Sequence, residues 1–187
     1  MELSNLNIKK GLCISLGANI DSKFGSPLKT LIKCKPDLES IIKNWIYNFN
    51  STQNKINFRN TKFYWSSIYK TKPYGIIEKQ PDYLNKLLLV KSELFPAQTD
   101  EAAIFLMNNL KKIEYDYGRE QNLRTKKWLP RCLDLDIIWW ENFTINTSFL
   151  TLPHPRFFNR NFVITPLSEI LTRSQKIEKL DINKNII

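Results

Sequence analysis

The stretch WLPRCLDLDIIWW, residues 128–140, sets two aspartates inside a run of apolar, strand-favouring residues. Side chains alternate faces along a strand, so Leu133, Leu135 and Ile137 share one face and Asp134 and Asp136 the other, their backbones roughly 6–7 Å apart. An ionised carboxylate is costly to bury unpaired, and two with overlapping fields do not both ionise comfortably without a cation. A divalent ion meets that need, and a small set of hard oxygen ligands favours Mg²⁺, which keeps waters and takes phosphate oxygens as further ligands. The plain alternative is that both acids are exposed or paired with nearby arginines. A bare D-x-D motif would favour that alternative. The setting shifts the balance, because Arg119, Arg124, Arg131, Arg156 and Arg160 all lie between residues 119 and 160. Guanidinium groups suit phosphate oxygens, and Asp, Mg²⁺ and Arg together are common equipment for phosphoryl transfer.

Working outward, residues 11–16 read as a short buried strand that ends at a turn signal, Gly17-Ala18-Asn19. Ser26 and Pro27 are expected to open a short helix that Pro36 interrupts. From Asp37, the residues Leu38, Ile41, Ile42, Trp45, Ile46 and Phe49 follow helical spacing. Residues 50–60 read as loop, 61–70 as a strand rich in aromatic and β-favouring types, 71–82 as loop, and 83–94 as another strand. Thr99 caps a helix marked by Ile104, Met107, Leu110, Ile113 and Tyr117 and ended by Gly118. Residues 119–130 form a basic loop before the strand of the opening stretch. Glu141 and Asn142 are expected to turn that strand into a hairpin with 143–147, and 152–162 reads as irregular. Strand, helix, strand, strand, helix, strand predicts an α+β fold: a ferredoxin-like sandwich, mainly antiparallel, with helices packed on the sheet and extra C-terminal elements. The whole chain, 1–187, is expected to be one domain.

Composition narrows the class. The chain of 187 residues is long enough to bury a core, and its hydrophobic share of 42% argues against disorder. The first residues lack a continuous apolar signal core, and no run is long enough to span a bilayer. Three distant cysteines, Cys13, Cys34 and Cys132, read as reduced thiols of a cytoplasmic protein. Lys plus Arg exceeds Asp plus Glu by 28 to 18, a net charge of +10 that favours anionic partners. A single histidine, His154, excludes a usual zinc site, though its P-H-P setting holds it stiffly enough to bond a phosphate. Tyr74, Tyr83, Trp128, Phe157, Phe158 and Phe162 lie in or beside loops, where two rings can sandwich a flat heterocycle. Neither G-x-x-x-x-G-K-[ST] nor G-x-G-x-x-G occurs, so any nucleotide is held by other means.

Four segments in order, SLGAN, TKPYG…QPDYLN, IEYDYGRE…WLPRCLDLDI and LPHPRFFNRNFVITPL, resemble the 6-hydroxymethyl-7,8-dihydropterin pyrophosphokinase family over residues 11–170. The resemblance implies transfer of the β,γ-pyrophosphoryl group of ATP to the hydroxymethyl group of a reduced pterin, with release of AMP, in folate biosynthesis. It implies two Mg²⁺ ions on Asp134 and Asp136, and catalytic roles for Arg119 and Arg131. Glu114, Ile137, Thr151, His154 and Arg160 match its ATP-binding positions. Tyr83 and Phe162 match the rings about the pterin, Asn85 the amide that reads its edge, and Thr71, Tyr74 and Trp128 further substrate contacts. Strand alternation alone would turn Arg131 away from the aspartates, so its role rests on the resemblance and on a bend at Pro130. The loops 71–82 and 118–130 are candidate lids. Departures include Leu129, where Gly commonly precedes Pro-Arg, Gln121 in place of a second arginine, and an insertion within residues 20–60.

Three rivals share some of these features, one of them a pseudoenzyme that retains the pterin site. A two-metal nuclease would use the same acids and basic residues. An RNA-binding α+β module would use the charge and the aromatics, although the K/R-G-F/Y-G/A-F-V-x-F/Y run is absent. The reading carried forward is a monomeric cytoplasmic enzyme acting on small molecules, with no nucleic-acid or membrane partner.

Overall fold

A computed structural model describes residues 11–50, 57–73, 80–119 and 129–184, with side chains as far as Arg173. The elements run β1 (Leu12–Ala18), α1 (Pro27–Asn48), β2 (Lys62–Trp65), β3 (Tyr69–Thr71), β4 (Tyr83–Lys91), α2 (Asp100–Asp116), β5 (Asp134–Trp140), β6 (Ile145–Asn146), β7 (Thr151–Leu152) and α3 (Asn161–Lys184). The main sheet has the order β2-β4-β1-β5, with β3 also paired to β4. Every neighbouring pair is antiparallel. If β2 and β3 count as one interrupted strand, this is the split β-α-β arrangement of a ferredoxin-like sandwich, as the order of elements predicted.

The sheet separates two apolar layers. On one face Leu12, Ile14, Leu16, Leu88, Val90, Leu133, Leu135, Ile137 and Trp140 pack against α1 and α2. On the other, Cys13, Leu87, Leu89, Ile138 and Trp139 pack against Phe157 and the α3 residues Val163, Leu167 and Ile170. Each such fully buried aliphatic side chain contributes roughly 1.5–3 kcal/mol. Ile138 and Trp139 are consecutive yet share a face. The register explains this: Ile14 opposes Ile137 while Cys13 opposes Trp139, so Ile138 is the extra residue of a bulge.

Several local expectations change. Pro36 does not interrupt its helix, since α1 is continuous from Pro27, with Ser26 as its N-cap. Pro36 sits on the exposed side, where water can satisfy the carbonyl one turn back, while Leu31, Cys34, Leu38, Ile42, Trp45 and Ile46 stay on the buried stripe. The strand expected over 61–70 is two strands. Trp65 opposes Leu88 but Tyr69 opposes Asn85, so one extra residue is accommodated between them. Ser66 anchors that bulge, its N–H donating to Leu87 O and its hydroxyl accepting from Leu87 N.

The turn at Glu141 forms with φ 47°, but the predicted hairpin partner does not pair with β5. Instead β6 pairs with β7 in a separate two-stranded sheet. The backbone of His154 donates to Ile138 O at 2.7 Å, so the returning chain occupies that part of the β5 edge. The irregular segment 152–162 holds a cis Leu152–Pro153 bond and a 3-10 turn at Phe157–Asn159, and its last two residues already belong to α3. The α2 expectations hold, with Thr99 as N-cap and Gly118 at φ 106° beyond its end. No described helix is long and apolar enough to cross a membrane.

Candidate active site

The sheet face under α3 is apolar at one end and polar at the other. Following the alternation from Leu89 and Leu87 leads to Asn85 and Tyr83, and from Cys13 to Ser15 and Gly17. From Ile138 it leads to Asp136 and Asp134. α3 covers the apolar end. The polar end floors a pocket lined by Ser15, Gly17, Thr71, Lys72, Tyr83, Asn85, Leu129, Arg131, Asp134, Asp136, Arg156, Arg160 and Phe162. Gly17 keeps the floor low. A Cβ there would lie 3.2 Å from Asn85 Oδ1 and 3.7 Å from the Tyr83 ring.

The two aspartates are in different electrostatic states. Asp134 Oδ1 accepts from Arg119 at 2.8 Å, and its Oδ2 accepts from Arg131. Burial raises its proton affinity, but Arg131, Lys111 and Arg119 outweigh that and hold its carboxyl below the usual range. Among the described residues Asp136 has one ion pair, a loose 3.8 Å approach of Arg160. Burial and then the charge of Asp134 push the Asp136 carboxyl upward. The arginine-paired alternative therefore describes Asp134, and the cation-deficient reading describes Asp136. Arg131 reaches Asp134 because it lies ahead of the strand, where alternation does not yet apply; β5 begins at Asp134 itself.

Behind Asp134 lies a buried relay. Glu114, 2% exposed, accepts from Lys111 at 2.6 Å, from Leu135 N at 2.7 Å and from Arg119. Lys111 also donates to Leu135 O at 3.1 Å. Helix α2 thereby satisfies both outward backbone groups of Leu135 on the edge strand β5. The backbone after Gly118 folds back, Arg119 N donating to Glu114 O, which aims the Arg119 side chain at Asp134.

Across the pocket, Asn85 Nδ2 donates to Thr71 Oγ1 at 2.8 Å. Tyr83 OH reaches Leu129 O at 3.4 Å, and burial raises its pKa. The Arg160 guanidinium sits 5.4 Å from the centre of the Phe162 ring. His154 Nδ1 accepts from Arg156 N at 3.2 Å, which leaves the proton of the neutral imidazole on Nε2. Burial and then Arg160 push its pKa down, favouring that neutral form.

Of the residues singled out from sequence, Thr71, Tyr83, Asn85, Arg131, Asp134, Asp136, Arg160 and Phe162 meet around the pocket. Arg119 and Glu114 stand behind Asp134. The Ile137 side chain belongs to the opposite apolar layer. Thr151 bonds Asn146 Oδ1 at 3.2 Å, away from the lining. Tyr74 and Trp128 lie outside the described residues, as do Gln121 and Arg124 and the middle of both candidate lids.

Sequence reasoning missed Asn19. Its Oδ1 accepts from Arg131 N at 2.7 Å and its Nδ2 donates to Pro81 O at 3.1 Å, joining the approach to β5 with the approach to β4. Only a polar residue after a strand signalled this. The sequence suggests a turn at Gly17, whereas it lies inside β1.

Asp134 and Asp136 offer the donor set that Mg²⁺ accepts, since hard carboxylate oxygens in small number leave room for phosphate and water. Asp136 fits best, because its charge is under-compensated. Among the described residues no cluster of three or more His, Cys, Asp or Glu side chains forms.

The family model described as 7,8-dihydro-6-hydroxymethylpterin-pyrophosphokinase (HPPK) matches residues 13–172. A Haemophilus influenzae protein named 2-amino-4-hydroxy-6-hydroxymethyldihydropteridine pyrophosphokinase is 41% identical over 120 residues, 62% of this chain and 68% of that protein. A Bacillus subtilis protein of the same name is 39% identical over 114 residues, 61% of this chain and 60% of the relative. A Pisum sativum protein named Folate synthesis bifunctional protein, mitochondrial, is 35% identical over 106 residues, 57% of this chain and 18% of its own length.

Proposed function

The chain belongs to the 7,8-dihydro-6-hydroxymethylpterin-pyrophosphokinase family, and on that premise we propose that its pocket transfers pyrophosphate from ATP to the hydroxymethyl group of a reduced pterin. Membership makes it an ATP-dependent diphosphotransferase of folate biosynthesis. The observation that carries the site assignment is the polar half of one sheet face. Two carboxylates and their arginines stand there beside an amide and two rings able to hold a flat heterocycle.

In the reaction the pterin hydroxyl attacks the β-phosphorus of ATP. A new P–O bond forms, the bond from the β-phosphorus to the oxygen bridging the α-phosphate breaks, AMP leaves with that bridging oxygen, and the hydroxyl proton passes to solvent water. Asp134 and Asp136 would hold Mg²⁺, proposed as two ions. When bound, the ions neutralise the polyphosphate and lower the pKa of the attacking hydroxyl. Arg119 and Arg131 lock Asp134 in place, so its geometry needs no reorganisation as the substrates arrive. Arg160, at the pocket wall, adds positive charge for the phosphates. His154, neutral with its proton on Nε2, serves as a hydrogen-bond donor to them rather than as a base. Tyr83 and Phe162 provide ring faces for the pterin. Asn85, oriented by Thr71, presents the rest of its amide to the polar edge. Glu114, Ile137 and Thr151 contribute to nucleotide binding indirectly or through backbone, and Tyr74 and Trp128 are further substrate contacts. The chain is read as a single catalytic unit, monomeric and cytoplasmic, acting on small molecules rather than nucleic acid or membranes.

The test is AMP formation from MgATP with and without hydroxymethyl-dihydropterin. Wild type should release AMP only with the pterin. Asp136→Ala should lower the rate by about 10²–10³-fold, as for loss of one preorganised charge-stabilising group. Pterin-independent AMP, or an unimpaired variant, would show the assignment to be wrong. A nuclease would cleave nucleic acid under the same conditions, and an RNA-binding module would bind it with steep salt dependence.

A further inference from the structure

The pocket has two walls carried by different elements, and one carboxylate joins them. Phe162 and Arg160 lie at the start of α3. Thr71 and Asn85 belong to the β3–β4 pair. Glu169 lies seven residues after Phe162, two helical turns along and on the same side of α3. Its Oε2 accepts from Ser67 N and from Tyr69 OH, both at 2.9 Å. Its Oε1 accepts from Ser67 Oγ at 2.8 Å and pairs with Arg173 at 2.8 Å. Ser67 sits in the bulge between β2 and β3. Tyr69 opens β3 directly opposite Asn85, and Thr71, two residues on, accepts the Asn85 amide.

We infer that Glu169 is a positioning residue that fixes the spacing between the Thr71–Asn85 wall and the Phe162 wall, and so sets affinity for the flat heterocycle. The inference rests on the pocket being the pterin site. An apolar contact would hold α3 against the sheet but leave it free to slide. Directional bonds to one backbone N–H and two hydroxyls at a bulge fix both translation and register. The apolar packing of Val163, Leu167 and Ile170 already supplies docking, so the carboxylate is not needed for adhesion alone. Arg173 is 63% exposed on its side chain and adds little, as expected for a surface pair.

The experiment compares wild type, Glu169→Ala, Glu169→Gln, Tyr69→Phe and Arg173→Ala in the full chain. Pterin binding is followed by pterin fluorescence, and KM values for pterin and ATP by AMP release. Glu169→Ala should raise the pterin Kd and KM about tenfold, the scale of losing hydrogen bonds to a charged acceptor, and raise the ATP KM by clearly less, because the flexible Arg160 side chain can still follow the phosphates. Glu169→Gln keeps an acceptor oxygen and should recover most of the affinity, and Arg173→Ala should match wild type. Equal losses for both substrates, or a lowered Tm with unchanged pterin affinity, would reduce Glu169 to a structural role and overturn the inference. If Glu169→Ala does not fold, Tyr69→Phe decides: about a twofold to threefold rise in pterin Kd supports the inference, and no change overturns it. Wild type that binds no pterin overturns the site assignment as well. Wild type that binds it, with every variant unaffected, overturns only the role of Glu169.

Discussion

Asp134 and Asp136 are two positions apart on one strand face, yet the fold treats them oppositely. Asp134 anchors two arginines, and its folded pKa is depressed, so its ionised form stabilises the native state near neutral pH. Asp136 has a raised folded pKa, so its ionised form costs the native state stability. Asp134→Asn is therefore expected to destabilise the protein by about 1–3 kcal/mol, because partly buried guanidinium groups lose their partner. Asp136→Asn should leave stability unchanged or raise it slightly, and should abolish any rise in Tm on adding Mg²⁺ that wild type shows. Thermal melts with and without Mg²⁺ read both effects. A destabilised Asp136→Asn or a destabilisation-free Asp134→Asn would contradict this account. Gly17→Ala tests the pocket floor: its new Cβ must push the Asn85 amide by a few tenths of an ångström, so pterin KM should rise about threefold with ATP KM little changed, measured by steady-state kinetics. At this scale the acid pair was legible because alternation is a local rule. Arg131 was legible only through the resemblance and the bend at Pro130, and Asn19 was not legible, because it acts where the chain leaves a strand and meets partners distant in sequence.

Elements reveal what tertiary packing overrides. Pro36 reads as a helix breaker, yet α1 carries it on its solvent side. Replacing it should restore a backbone hydrogen bond that the proline ring forbids. Pro36→Ala is expected to stabilise the protein by about 1–2 kcal/mol, less than the full propensity difference because the unfolded chain gains freedom. Urea unfolding should show a higher midpoint at unchanged slope. The same override explains the lost hairpin. Glu141 turns the chain as its position suggested, but the edge of β5 is met by Lys111, Glu114 and the backbone of His154, not by a neighbouring strand. Helix starts and stops at Thr99 and Gly118 were readable because capping is local. The split between β2 and β3 was not, because a bulge is defined by the partner strand.

In the whole molecule, the three cysteines report on cooperative structure. Cys13 lies in the layer under α3, Cys34 in the layer under α1 and α2, and Cys132 just before β5; all are free and buried. Burial raises every one, and Cys34 is pushed up to about 12 by burial and then the charges of Asp37 and Glu114. A thiol reagent at pH 8 should therefore label the native protein slowly, and all three thiols should react as unfolding proceeds, in step with loss of tryptophan fluorescence. Prompt labelling of two thiols in the native state would contradict the burial. The fold class was legible because six elements in order leave few topologies. The helix that completes the second layer was hidden by the prolines and polar residues around 153–166.

The polar groups that line the pocket gather on one side of the β-sheet, and α1 packs on the reverse. The sheet thus acts as a partition between a side under chemical constraint and a side free to vary. A change in the outer face of α1, which packs on that reverse side, leaves the pocket lining undisturbed. Descendants of this enzyme are therefore expected to diverge in bulk behind the partition while their working surface stays the same.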